Sequence, residues 1–352
     1  MAAPRKLRKR DILLFVLIIA LALLLVFGVS ALIEHFSDSK RTSRNDRSET
    51  DNIGLEPVMP DDEAPEDAIP ESELEKQSYT SGSYNNNIKN IVLIGVDKDE
   101  LKEEDIFRIA GQSDVIMILS MNLKTKEYWL VSINRDLAVP VENYSYIGET
   151  YGFVTEQIAL AYAYGDGTRL SGKNVIKSLN CLFGDVIPYL GFIAAPPPLI
   201  ATLADAVDGV PVEITDDFSG IDDTLIKGET VVLRGAHAER YVRARKAMAD
   251  DPYNAARMTR QLTFCESFIK KAKTSMTAKQ LVSLHEDVMS MTVSDMGKND
   301  VAKWILQLYD FERKGFYRID GVRREGELMH DAPFNDVVPE EVEKLLEELY
   351  FK

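Results

Sequence analysis

Seven cationic residues crowd a window of 27 positions: Arg234, Arg240, Arg243, Arg245, Lys246, Arg257 and Arg260, set against Glu239, Asp250 and Asp251. The whole chain carries a formal charge of -16, so this island is a local reversal of sign. Arginine dominates it, and the planar guanidinium fork matches the oxygens of phosphate or carboxylate. If residues 236–241 are helical and the chain is extended afterwards, Arg243 and Arg245 point to one side. Arg257 and Gln261, four apart on a following helix, share a face. Anion recognition is one reading of the island. Surface ion pairing with the surplus carboxylates is the other, since such pairs are common and individually weak.

A second group stands at the ends of apolar runs. Asp97 follows Ile91-Val92-Leu93-Ile94 and Gly95, Asp114 opens the run Val115–Met121, and Arg135-Asp136 follow Glu127–Ile133. In layered α/β proteins, sites form where neighbouring strands end. Two carboxylates there could hold a hard divalent cation such as Mg2+, which takes one or two carboxylates together with phosphate oxygens. They could equally be turn or capping residues. Other chemistries find little support. His35, His237, His285 and His330 lack paired zinc spacing, and neither a G-x-x-x-x-G-K-S/T loop nor a G-x-S-x-G elbow occurs.

The elements that would carry these residues are β-rich runs mixed with helical periods. Ile91–Ile94 reads as a strand buried on both faces, and Val115–Met121 with Glu127–Ile133 as a hairpin. Helical periods cover 155–164, 171–182 with Ser171 as N-cap and Gly184 as stop, and 199–207 after the triple proline. A strand is expected at Val210–Ile214, and further helices at 256–272, 278–288, 301–308 and 340–349, the last opened by Pro339. The fold class expected is α/β, layered α/β/α with a mixed central sheet, built as one domain over 88–352.

Before that domain come three other segments. Residues 1–11 are basic, with Arg5, Lys6, Arg8, Lys9 and Arg10. Residues 12–33 are apolar except for Gly28 and Ser30, long enough at about 1.5 Å per residue to cross a hydrocarbon core of about 30 Å. The charge cluster favours a cytoplasmic N-terminus and an extracytoplasmic C-terminal domain, on a single-pass protein of the cell membrane. Val29-Ser30-Ala31 resembles a signal-peptide cleavage site, but the apolar stretch exceeds the usual span of about 7–15 residues. Residues 34–87, rich in Ser, Asp, Glu and Pro, read as a solvated, disordered linker. The acidic balance argues against nucleic acid as a partner. Cys181 and Cys265 cannot make a disulfide framework, and their pairing state stays open.

Basic start, span and linker are followed by a series of motifs: Asn90-Ile91-Val92-Leu93-Ile94-Gly95-Val96-Asp97, Ser113-Asp114-Val115 and Val131-Ser132-Ile133-Asn134-Arg135-Asp136. Then come Ala161-Tyr162-Ala163-Tyr164-Gly165, Asp208-Gly209-Val210, Tyr241-Val242-Arg243-Ala244-Arg245 and Arg257-Met258-Thr259-Arg260-Gln261. In order and spacing this resembles the LytR-CpsA-Psr family of cell-wall proteins. The resemblance implies a membrane-anchored extracytoplasmic phosphotransferase, moving a glycopolymer such as teichoic acid or capsule from a polyprenyl-pyrophosphate lipid to peptidoglycan. Carried over position by position, it implies magnesium on Asp97 and Asp114, one of which would help deprotonate the acceptor. Arg135, Arg243, Arg245 and Arg257 would surround the pyrophosphate, with Gln112, Arg260 and Gln261 beside them. The apolar stretches 175–183 and 187–203 would line a lipid tunnel or simply pack a core. The chain departs from the family pattern in three places: Gln112 stands where arginine is usual, Asn254 where an acid is usual, and Gln157-Ile158-Ala159 replaces Lys-Ile-Asn. Gln112 and Asn254 motivate another reading, a non-catalytic lipid-pyrophosphate-binding or regulatory envelope protein, and a lipid pyrophosphatase with water as acceptor is a third.

Overall fold

A computed structural model of the chain describes residues 63–79, 82–244, 255–308, 311–330 and 332–352. The expected span at 12–33 lies outside them, and among the described residues no helix is long and apolar enough to cross a membrane.

The order of elements begins with strands β1 (Ile88–Val96), β2 (Ser113–Asn122), β3 (Glu127–Ile133), β4 (Ala138–Tyr144) and β5 (Thr150–Gln157). Helices α1 (Leu160–Ala163) and α2 (Arg169–Phe183) follow, then β6 (Tyr189–Ala195), α3 (Leu199–Ala206), β7 (Val210–Glu213), β8 (Thr230–Leu233) and α4 (Gly235–Arg243). The rest comprises α5 (Ala255–Ser275), α6 (Ala278–Met291), β9 (Val293–Ser294), α7 (Lys298–Leu308), β10 (Glu312–Ile319), β11 (Val322–Arg323), β12 (Asn335–Asp336) and α8 (Pro339–Leu349).

Six strands form the central sheet in the order β10-β3-β2-β1-β6-β9. It is mixed: β1–β2 and β2–β3 run antiparallel, whereas β1–β6 and β3–β10 run parallel. β1 is continuously apolar from Ile91 to Ile94 because both of its faces are covered there. Leu93, Met117, Leu119 and Ile193 pack on one side against α3 to α7, while Val92, Ile94, Ile118 and Phe192 pack on the other against α1, α2, α8 and the β4–β5 hairpin. This is the expected α/β/α layering. The apolar stretches at 175–183 and 187–203 supply buried residues to these two cores, including Val175, Leu179, Phe192 and Leu203.

Three local expectations are corrected. The helix expected over 155–164 is β5 followed by the single turn α1: Val154, Ile158, Ala161 and Tyr162 mimic a helical period, but the hairpin ladder to β4 takes the first part. Ser171 lies buried inside α2 and does not cap it. The Asp166 carboxylate does that work, accepting from the backbone N–H of Thr168, Leu170 and Ser171 at 2.8–3.2 Å. Gly184, with φ +60, ends the helix as expected. Finally, the stretch read as linker carries ordered contacts well before residue 87. Ile69 and Phe153 exchange backbone hydrogen bonds of 2.9 and 2.8 Å, Lys76 meets Asp185 at 2.8 Å, and the Tyr79 hydroxyl donates to the Leu182 carbonyl at 2.9 Å. Gly152 is required there, because a Cβ would stand 2.4 Å from the Ile69 carbonyl oxygen.

Candidate functional site

The strand ends bring the first group of residues together. β1 carries a register shift at Gly95/Val96 just before Asp97, a local irregularity of the kind that re-aims a side chain. The loop back to β2 passes through Gly111 at φ +86, where a Cβ would sit 2.6 Å from Asp97 Oδ1. That close approach lets the Gln112 backbone N–H donate to Asp97 Oδ1, while the Gln112 carbonyl accepts from both Asp97 N and Asp114 N at 3.1 Å. Asp114, only 4% exposed, accepts on Oδ1 from Arg135 Nη1. Arg135 Nε faces Asp136 Oδ1 at 3.4 Å. Asp97, Gln112, Asp114 and Arg135 therefore share one end of the sheet. Ser113 N and Ala159 N anchor them from behind through bonds to Ala159 O and Arg135 O of 2.8 and 3.1 Å.

The electrostatics are those of one guanidinium facing three carboxylates. Burial opposes the charge on Arg135, but Asp114, Asp136 and Asp97 outweigh it and hold its pKa above the ordinary value. Burial pushes the Asp97 carboxyl up, against the Gln112 N–H and the Arg135 cation, which pull it down. The surplus of negative charge and the hard oxygen donors of Asp97 and Asp114 fit a magnesium ion that completes its shell with water and phosphate oxygens. Among the described residues there is no group of three or more His, Cys, Asp and Glu side chains able to hold a metal by themselves.

The second group sits on α4 and α5. β6 ends at Ala195 beside Gly95 of β1, and α3 folds back over the sheet from there, Leu199 and Leu203 packing with Leu93 and Ile193. The far end of α3 holds the start of α4, since Asp205 Oδ1 accepts from Gly235 N at 2.8 Å. α4 runs on from there to Arg243 at its C-terminus. Its guanidinium pairs with Glu239 one turn earlier. Arg260 ties α5 to the same corner: Nε donates to Tyr241 O at 3.1 Å, Nη1 to Asp216 Oδ2 at 2.6 Å and Nη2 to Ala244 O, while Phe218 lies 5.5 Å beneath its plane. Those are the contacts of a structural tie. Arg257 and Gln261, buried at 5% and 1% exposure, stand on the same helix. Arg245 and Asn254 lie outside the described residues.

Two residues join the site from places with little local signal. Gln157 Nε2 reaches Asp136 Oδ1 at 3.4 Å, and Arg323 Nη2 on β11 lies 3.8 Å from Asp136 Oδ2. Gln157 stands out in the sequence only as a departure from a pattern. Arg323 shows no periodicity and no motif, because the β11–β12 pair that carries it is two residues long on each side.

Comparison with known proteins agrees with this architecture. The chain is 28% identical over 183 residues to the polyisoprenyl-teichoic acid–peptidoglycan teichoic acid transferase TagU of Halalkalibacterium halodurans, covering 52% of this chain and 53% of that protein. It is 24% identical over 230 residues to the corresponding transferase TagT of Bacillus subtilis, covering 63% of each. The matches thus span about half to two thirds of the length of these curated relatives. Among solved structures, TagT bound to LI-WTA superposes with a TM-score of 0.53 at 20% identity, over 74% of this chain and 89% of that one. Protein gbs0355 of Streptococcus agalactiae gives 0.58 at 19% identity, over 74% and 86%. These similarities show a common fold. The family model of LytR_cpsA_psr matches residues 61–330, which takes in both the ordered stretch before residue 87 and the whole central sheet, and the chain belongs to the LytR_cpsA_psr family.

Proposed function

We propose that this chain is a membrane-anchored extracytoplasmic phosphotransferase that moves a glycopolymer from a polyprenyl-pyrophosphate carrier to a hydroxyl of peptidoglycan. The observation that carries the reading is the Arg135 guanidinium held between Asp114 and Asp136 at the sheet end where Asp97 also stands. The names of the related transferases support the substrate class. In the reaction, the acceptor oxygen forms a bond to the phosphorus that bears the glycopolymer. The bond from that phosphorus to the bridging oxygen breaks, and polyprenyl monophosphate leaves. Negative charge spreads over the phosphoryl oxygens, so catalysis rests on positioning and on cationic groups. In this reading Arg135 supplies one such cation, Arg243 and Arg257 supply others, and Asp97 or Asp114 takes the acceptor proton. Magnesium bound by Asp97 and Asp114 would neutralise phosphate charge and align the pyrophosphate.

In this reading residues 12–33 anchor the chain and the domain works outside the cell, where carrier and peptidoglycan meet. The test is incubation of the full chain with a polyprenyl-pyrophosphate-linked disaccharide, peptidoglycan and magnesium. A phosphodiester-linked product, lost with Arg243→Ala, is expected. Carrier binding without turnover would select the non-catalytic reading that the neutral Gln112 and Asn254 favour, and release of saccharide phosphate to water would select a pyrophosphatase.

A further inference from the structure

We infer that Asp136 is a positioning residue for Arg135, and that Arg323, brought in from the C-terminal β11, is the counter-charge that keeps Asp136 in place. The inference rests on the reading of Arg135 as a phosphate-binding cation.

A long side chain that must present its charge to a ligand needs its other donors fixed, because a guanidinium free to rotate loses orientation when it binds. Arg135 is fixed on two sides, by Asp114 at Nη1 and by Asp136 at Nε. Among the described residues no hydrogen bond leaves its third corner, Nη2. The side chain is 12% exposed, so the group is held in the protein while one edge can still meet a ligand.

Asp136 is held in turn. Its backbone N–H is bound by Asn134 Oδ1 at 3.0 Å, and its carbonyl accepts from Asn335 N at 2.9 Å. Oδ1 is shared between Arg135 and Gln157, and Oδ2 faces Arg323. The strand that carries Arg323 is clamped to the same loop. Asn134 Nδ2 and Asn335 Nδ2 both donate to Asp320 O, at 3.1 and 2.8 Å, and Glu341 accepts from the N–H groups of Asp320 and Gly321. Gly321, at φ +65, admits this clamp because a Cβ would lie 2.3 Å from the Asp336 carbonyl oxygen. A neutral residue at 157 gives Asp136 a hydrogen bond but no charge. Arg323 supplies the cation from a distant part of the chain, facing the second oxygen of Asp136 at 3.8 Å.

The test is a double-mutant cycle in the full chain, read by calorimetric binding of geranylgeranyl pyrophosphate, by steady-state transfer and by thermal midpoint. Asp136→Asn should lower kcat/KM by about tenfold to a hundredfold, the usual range for loss of a group that orients a functional one, and Asp136→Glu should restore part of it. In an Arg135→Ala background Asp136→Asn should cost almost nothing, whereas its effect on the thermal midpoint should be the same in both backgrounds. Arg323→Ala should follow Asp136→Asn in direction with a smaller loss. Equal losses with and without Arg135 would overturn the inference, as would wild-type kinetics for Asp136→Asn. A wild-type chain that neither binds the pyrophosphate nor transfers the saccharide would instead overturn the proposed function, a result separate from either.

Discussion

Arg260 is a fully buried arginine and Arg135 a half-buried one, each beside carboxylates, yet the structure uses them in opposite ways. Arg260 directs all three corners of its guanidinium at protein acceptors and lies over the Phe218 ring. Arg135 has two corners held and one edge without a protein acceptor among the described residues. The first knits α4, α5 and the 216 loop together. The second is prepared for something outside the protein. The difference shows that the charge of an arginine does not decide its role; what decides it is how many donors the fold has already satisfied.

The largest expected effect sharpens that contrast. Arg260→Ala removes a buried cation from Asp216 and leaves two backbone carbonyls without their donors, a loss of about 3–5 kcal/mol in folding stability. Denaturant unfolding checks it, and a change below about 1 kcal/mol would mean that Arg260 is not the tie its contacts describe. Next comes Gly111→Ala. The position has φ +86 and a Cβ there would press on Asp97, so a cost of about 1–3 kcal/mol is expected together with lost activity, because Asp97 must move. Full activity with unchanged stability would show that the approach to Asp97 is not required.

A smaller effect with the opposite sign is expected at Asp97. Burial raises its carboxyl pKa in the folded chain, so in EDTA the folded protein holds that proton more tightly than the unfolded one. Stability is then fully present below the ordinary carboxylate value and declines as pH rises through the raised folded pKa. Asp97→Asn should therefore be more stable than wild type at neutral pH while transfer is abolished, and the gap should close in acid. Urea midpoints across pH test this, and a destabilised Asp97→Asn at neutral pH contradicts it. The smallest effect belongs to an exposed pair far from either arginine: Arg313→Ala, breaking the 2.7 Å contact with Glu266, should change stability by less than about 0.5 kcal/mol.

How far the sequence reveals this molecule follows the same divide. The end-of-strand group was legible because continuous apolar runs locate β1, β2 and β3, and antiparallel pairing then places Asp97, Asp114 and Arg135 at one edge without further information. The layered α/β fold was legible for the same reason. The helical arginines were not separable by pattern, since Arg257 and Arg260 sit one turn apart and only the packed corner shows which of them ties carbonyls. The β4–β5 hairpin was hidden by a chance helical period. The edge strand β10 reads as polar because seven of its eight residues are not apolar or lie partly exposed, as Glu312, Arg313 and Lys314 illustrate. Arg323 was invisible for a simpler reason: a two-residue strand has no period, and its meeting with Asp136 is set by the clamp between Asn134, Asp320 and Asn335.

The most direct test of the central claim is transfer itself, followed by the appearance of a phosphodiester on peptidoglycan from a polyprenyl-pyrophosphate-linked disaccharide. The full wild-type chain with magnesium should form it, and Arg135→Ala should form it about 10²–10³-fold more slowly while folding normally. An Arg135→Ala chain that transfers at the wild-type rate would contradict the account.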